Sequence, residues 1–145
     1  MCDIKIRPID KEDLHSVQDI ERISFKDPYP SSLMAFLFRV NKSLFLVAEK
    51  KHKIVGYIIT SNEDNIGHII SIAIDPSEKR KHIGLRLMEE IFNILKKSKT
   101  PVVRLEVRKS NVEAQKFYEA IGFVYSYTIE NYYGDEEGLI YFRTL

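Results

Sequence analysis

A single cysteine, Cys2, stands in a sequence of 145 residues, and one thiol cannot build an internal disulfide framework. Its terminal position also argues against a nucleophile held ready by folded surroundings. Long apolar runs are missing as well: none approaches the ~20 residues that a membrane-spanning helix needs. The opening Met1-Cys2-Asp3-Ile4-Lys5 passes straight into alternating apolar and charged residues without a signal-peptide core, so a cytoplasmic protein is expected. Excess charge of either sign is absent, since 22 basic residues face 21 acidic ones for a net +1. No global field then favours nucleic acid or a membrane surface, and any anion site must be local. The four histidines, His15, His52, His68 and His82, have neither metal-ligand spacing nor cysteine partners, so no metal centre is expected. Repeats, linkers and low-complexity segments are lacking too.

What is present is an ordinary globular composition, 44% hydrophobic and 30% charged. A chain of this length forms one domain, here residues 1–145, and buries about two-thirds of the surface its unfolded form exposes. Ile4 and Ile6 alternate with charges as a strand does, and Asp10 can cap a helix with Leu14, Val17, Ile20, Ile23 and Phe25 on its apolar stripe. Lys26-Asp27-Pro28-Tyr29-Pro30 breaks that helix, and Ser31 and Ser32 can cap a second through Leu33, Phe36, Leu37 and Val40. Strand-like runs at 44–48 and 54–60 pair as a hairpin across 50–53. The run 67–74 is apolar at nearly every residue, which predicts a central strand covered on both faces. A long helix follows with Ile83, Leu87, Ile91, Ile94 and Leu95 on one side, then a strand, a helix and a final hairpin. The expected fold class is α/β: a mixed, mostly antiparallel sheet with helices on both faces.

Two segments carry candidate chemistry. In 102–108, Val103, Leu105 and Val107 share one parity and Arg104, Glu106 and Arg108 the other, so Glu106 points away from the apolar face. Ser110 with Glu113 fits a capping box; Ala114, Phe117, Tyr118 and Ile121 then fall on one helical face, and Gly122 stops the helix before Phe123. The second segment, Lys79-Arg80-Lys81-His82-Ile83-Gly84-Leu85-Arg86, opens the long helix, where free backbone N–H groups favour an anion. Taken singly, Glu106 reads better as a solvated glutamate, Tyr118 as a packing aromatic and the basic run as a solvated helix end, while Asn111 reads equally as a helix starter.

The spacing Asn111, Ala114, Tyr118, Gly122, Phe123 resembles the second signature of the GCN5-related N-acetyltransferase (GNAT) superfamily. Leu105-Glu106-Val107-Arg108 just before it narrows the resemblance to RimI-like N-terminal acetyltransferases. The resemblance implies a sheet splayed between its fourth and fifth strands, at 69–74 and 102–107, with the thioester arm of acetyl-CoA in the gap. It implies Glu106 as general base and Tyr118 as general acid or thiolate stabiliser. Backbone N–H groups at Ile72, Ala73 and Ile74 would hold the carbonyl and pantetheine. Lys79, Arg80, Lys81, His82, Ile83, Gly84 and Leu85 resemble the pyrophosphate signature, with His82 standing where the family has glycine; a negative φ is expected there. Asn111 would touch the cofactor. Phe25, Pro28 and Tyr29 on one side, and Tyr132 and Tyr133 on the other, would close over a peptide, with Asp135-Glu136-Glu137 attracting its terminal charge. The implied partner is a protein or peptide N-terminus, a ribosomal protein being one candidate, with no nucleic acid, membrane or metal; the oligomeric state is left open. The competing readings are an acetyltransferase for small amines or lysine, and a non-catalytic coenzyme A-binding module.

Overall fold

Strand β1 (Ile4–Pro8) leads into helices α1 (Leu14–Ser24) and α2 (Ser31–Val40), then strands β2 (Phe45–Lys50), β3 (Lys53–Glu63) and β4 (Ile66–Ile74). Helix α3 (Ile83–Lys97), strand β5 (Val102–Arg108), helix α4 (Val112–Ala120) and strands β6 (Val124–Ile129) and β7 (Gly138–Thr144) complete the order. This computed structural model describes residues 3–79 and 82–145; Cys2 and the basic pair Arg80 and Lys81 lie outside them. Hydrogen bonds link the strands in the order β1, β2, β3, β4, β5, β7, β6, with β4 and β5 parallel. The α/β class and the mixed sheet are as the sequence led one to expect. Among the described residues no helix is long and apolar enough to cross a membrane. Contacts divide the chain into two compact units, one running to Ser61 and resuming over Ser71–Ile94, the other formed by Asn62–Ile70 and Leu95–Leu145.

In the first unit, the β2–β3 hairpin turns through Lys51 (φ 49) and His52 (φ 66), the paired left-handed residues that match the twist of the flanking strands. Its register sets Phe45 opposite Ile59 and Val47 opposite Tyr57, and residues 45–48 and 54–61 are buried without alternation. β4 differs from expectation: burial alternates along it, with Gly67, Ile69, Ser71 and Ala73 buried and Ile70, Ile72 and Ile74 half-buried. One of its faces is therefore only partly covered. Helix α1 also departs from the apolar stripe read in the sequence. Val17 and Ile20 are buried, but Ile23 is 63% exposed and Gln18 and Glu21 are buried instead. Asp10 caps a short 3-10 turn, Lys11–Asp13, rather than the helix itself. Arg7 closes that turn by donating to Asp13 at 2.7 and 3.1 Å and to Glu49 at 2.8 Å. Helix α2 starts at Ser31 from Pro30, and buries Met34 and Leu37 while Phe36 and Val40 stay exposed.

In the second unit, β5 buries Val103, Leu105 and Val107 as the parity required. The parallel register with β4 runs over Ile66↔Val102, Gly67↔Val103 and His68↔Arg104 and ends there, in keeping with the expected splay. The final hairpin turns back so that β7, not β6, pairs with β5. Helix α4 begins from Asn111, whose side-chain oxygen accepts from the Ala114 N–H at 3.1 Å. Ser110 is committed elsewhere, so the capping box expected from Ser110 and Glu113 does not form. At the other end Gly122 N–H donates to Glu119 O (3.1 Å) and Phe123 N–H to Tyr118 O (3.0 Å). With Gly122 at φ 100 and the rings of Phe123 and Tyr118 5.9 Å apart, this is a Schellman closure with its hydrophobic contact.

Gly122→Ala would place a Cβ 2.9 Å from Arg143 Nε, the group that donates to Ile121 O, at a φ that L-residues avoid. The expected cost is about 1–2 kcal/mol, a fall of about 3–8 °C in a thermal melt of a domain this size.

Candidate active site

Strand parity and register together assemble the centre of the second unit. Because Val103, Leu105 and Val107 face inward, Arg104, Glu106 and Arg108 share the opposite face of β5. The parallel register brings His68 opposite Arg104, and His68 Nε2 lies 2.7 Å from Glu106 Oε1 while Arg104 Nε donates to Glu106 Oε2 at 3.0 Å. The Glu106 side chain is only 10% exposed. Two partners thus orient one carboxylate, and neither was singled out in the sequence. The signal for His68 was there: it is a polar residue inside an apolar strand. Its relation to Glu106, 38 residues away, depends on register.

Tyr118 lies on the half-buried face of α4 between Phe117, at 5.5 Å, and Phe123, at 5.9 Å between ring centroids. Burial pushes its phenol up to about 12. Tyr133 is raised further, first by burial and then by the charges of Tyr132, Glu106 and Tyr118, with Arg108 opposing. These groups are near enough to feel one another's charge. The Arg108 guanidinium stacks 4.3 Å from the Tyr133 ring, and Tyr132 meets Tyr133 edge-on at 4.9 Å.

The acidic triplet has a different task from the one expected of it. Asp135 and Glu136 accept from Arg108 at 2.8 and 3.1 Å, and Ser110 donates to Glu136 through both N–H and Oγ. Glu137 pairs with Lys109 at 3.5 Å and accepts the Lys109 N–H through its carbonyl. The triplet therefore anchors the β6–β7 loop to the β5–α4 junction. Asn111, expected at the cofactor, has its side-chain oxygen engaged as the α4 cap.

In the first unit, the described residues among those expected at the cofactor form a strand end and a helix start. Ala73 is buried between half-buried Ile72 and Ile74, and the next residue, Asp75, caps the 3-10 turn Pro76–Glu78 by accepting from Ser77 N–H at 3.0 Å. His82 has φ 60, which overturns the expectation of a negative value. It stands before α3 rather than inside its first turn, and its carbonyl accepts the Arg86 N–H at 3.1 Å. A left-handed φ at this position is one that glycine adopts without strain, in keeping with the glycine of the family signature. Ile83, Gly84 and Leu85 are then the first three helical residues, whose N–H groups lack intrahelical acceptors. That arrangement fits a pyrophosphate, and Arg80 and Lys81 fall outside the described residues. The Arg86 side chain donates instead to Ile4 O at 2.9 Å.

Of the residues expected to close over a peptide, Phe25 is exposed and Pro28 and Tyr29 are half-buried. Tyr29 N–H donates to Glu21 at 3.0 Å, and Tyr29 O accepts from Gln18 at 2.7 Å.

His82→Gly relieves a left-handed backbone that costs a non-glycine residue about 1–2 kcal/mol, offset by about 0.5–1 kcal/mol of added chain entropy. The variant should melt at or slightly above the wild-type temperature; a lower melting temperature would show that His82 makes compensating contacts.

The sequence matches the acetyltransferase (GNAT) family over residues 14–123. It is 37% identical over 139 residues to an uncharacterized N-acetyltransferase of Methanocaldococcus jannaschii, with 93% of this chain and 87% of that one covered. An N-alpha-acetyltransferase of Sulfurisphaera tokodaii is 29% identical over 146 aligned positions, with 92% of this chain and 87% of that one covered. The crystal structure of Ard1 from Thermoplasma volcanium matches with a TM-score of 0.96 at 29% identity, covering 99% of each chain. With three-quarters of its length inside the family match and a relative alike over nearly all of it, the chain belongs to the acetyltransferase (GNAT) family.

Proposed function

We infer that this protein transfers the acetyl group of acetyl-CoA to the N-terminal α-amine of a protein or peptide. The observation that carries the reading is Glu106, a nearly buried carboxylate oriented by His68 and Arg104. Relatives named for α-amine acetylation support the choice of acceptor.

The amine must be neutral before it attacks. Glu106, directly or through a water, accepts the ammonium proton, and His68 keeps the carboxylate turned toward that task. The amine nitrogen then bonds to the thioester carbonyl carbon, the C–S bond breaks with its electron pair leaving on sulfur, and the nitrogen's surplus proton passes to the thiolate, giving a neutral amide and the coenzyme A thiol. Preorganised N–H groups lower the barrier as the carbonyl oxygen gains charge; those at Ile72, Ala73 and Ile74 are assigned that role. The N-terminal amides of α3, with Lys79, take the pyrophosphate. An α-amine titrates near ~8 and a lysine amine near ~10.4, so a lone carboxylate meets a demand smaller by roughly 3 kcal/mol with the α-amine.

Tyr118 acts without giving up its proton. Its phenol is pushed up to about 12 against a thiol near ~8.5, so full transfer to the thiolate is uphill by about 5 kcal/mol. A hydrogen bond to the departing sulfur is the role that remains. Tyr132 and Tyr133, on a loop held rigid by Arg108 and Glu136, supply hydroxyls for the peptide backbone.

Glu106→Gln should lower kcat/KM by about 10²–10⁴-fold near neutral pH. Activity should recover as the pH rises past ~8 and free α-amine accumulates; a flat profile would assign the proton to another acceptor. Tyr118→Phe should lower kcat about tenfold or more while acetyl-CoA affinity holds. Because burial keeps the Tyr118 phenol protonated to about 12, the wild-type profile should show no alkaline limb from it in the range where peptides are assayed. Mass spectrometry of peptides with varied N-termini and internal lysines, incubated with acetyl-CoA and fragmented to place each acetyl, tests the acceptor. Label confined to α-amines upholds the reading; label on lysines overturns it.

A further inference from the structure

Two polar side chains in α1 take no part in the acetyl-transfer chemistry, yet both are buried: Gln18 is 5% exposed and Glu21 is 2% exposed. Burying a carboxylate is costly unless its lone pairs are engaged. Glu21 meets that condition with neutral donors alone. Its Oε1 accepts from the Tyr57 hydroxyl and from Ser71 Oγ at 3.2 Å, and its Oε2 accepts from the Tyr29 N–H at 3.0 Å. Gln18, three residues earlier and so on the same helical face, donates to Tyr29 O at 2.7 Å. Both backbone polar groups of Tyr29 are thus taken by side chains of one helix. An apolar residue at position 21 would fill the space at less cost but would remove the carboxylate that accepts from the Tyr29 N–H. What the carboxylate contributes is geometry.

The partners of Glu21 place that geometry in context. Tyr29 lies in the loop that carries Phe25 and Pro28, and Ser71 immediately precedes Ile72, Ala73 and Ile74 on β4. One carboxylate therefore bonds to the loop assigned to the amine substrate and to the strand assigned to the thioester. We propose that Glu21, with Gln18, is a positioning pair that holds the loop at Tyr29 in the conformation that receives the substrate peptide. The proposal rests on the reading of that loop as substrate-bearing.

The substitution chemistry separates positioning from proton transfer. In Glu21→Gln the amide oxygen can still accept from Tyr29 N–H, while the NH2 donates to Tyr57 or Ser71, whose hydroxyls reverse direction. Glu21→Ala removes every one of these bonds. The experiment compares full-length wild type, Glu21→Gln and Glu21→Ala by amide hydrogen exchange over residues 25–30, by acetyl-CoA affinity, and by steady-state acetylation of a peptide α-amine at saturating acetyl-CoA. Expected for Glu21→Ala are faster exchange in the loop and a peptide KM raised about tenfold, with kcat and acetyl-CoA affinity within about threefold. Glu21→Gln should stay near wild type in all three.

Unchanged exchange in Glu21→Ala overturns the clamp itself. Faster exchange with unchanged peptide KM overturns the assignment of the loop to substrate. Glu21→Gln as impaired as Glu21→Ala overturns positioning in favour of a role for the charge. A wild type that acetylates no peptide α-amine overturns the underlying functional reading, while the exchange comparison still reports on the clamp. Should Glu21→Ala not fold, Gln18→Met, which removes only the donor to Tyr29 O, carries the same three comparisons.

Discussion

Burial of Val103, Leu105 and Val107 on one face of β5 is the constraint on which the candidate site depends. Fully burying such side chains is worth about 1.5–3 kcal/mol each, and a slip of one residue would expose all three. That penalty locks the parity of the strand. Arg104, Glu106 and Arg108 are left on the other face, and each then finds its partner: Arg104 and His68 hold Glu106, while Arg108 holds Asp135 and Glu136 beneath the tyrosine loop. Apolar packing is what makes the polar arrangement dependable.

Tyr118 depends on a second constraint, the closure of α4. The helix has no fully buried residue, so packing alone holds it loosely. Its ends do the rest. Asn111 caps one end, and the Gly122 closure ties Phe123 to Tyr118 by a backbone bond and by ring contact. The same sequence spacing that identifies the family, from Asn111 to Phe123, is therefore a description of two helix caps and the aromatic between them.

The buried Glu21 and the half-buried Glu106 differ in how their carboxylates are engaged. Glu106 has one partner on each oxygen, His68 and Arg104, and in the proposed mechanism its remaining lone pairs take the proton of the amine. Glu21 accepts three bonds, from Tyr57, Ser71 and Tyr29, and is 2% exposed, so it is closed to a substrate. Burial by itself does not distinguish a reactive group from a positioning one; the count of engaged lone pairs does.

Short-range patterns determined much of this protein from the sequence alone. The parity of β5, the hairpin across Lys51 and His52, the Gly122 stop and the Asn111-to-Phe123 spacing all act over a few residues, where sterics and local hydrogen bonding decide the outcome. Tertiary structure decided what those patterns could not reach. The pairing of His68 with Glu106 depends on strand register, the capture of the acidic triplet by Arg108 and Lys109 depends on where a loop returns, and the burial of Gln18 and Glu21 in place of Ile23 depends on which face of α1 the rest of its unit covers. The left-handed φ of His82 belongs with these, because nothing in the residue's own preference requests it: the residue directly precedes α3, a helix held by the burial of Ile83, Leu87 and Ile91.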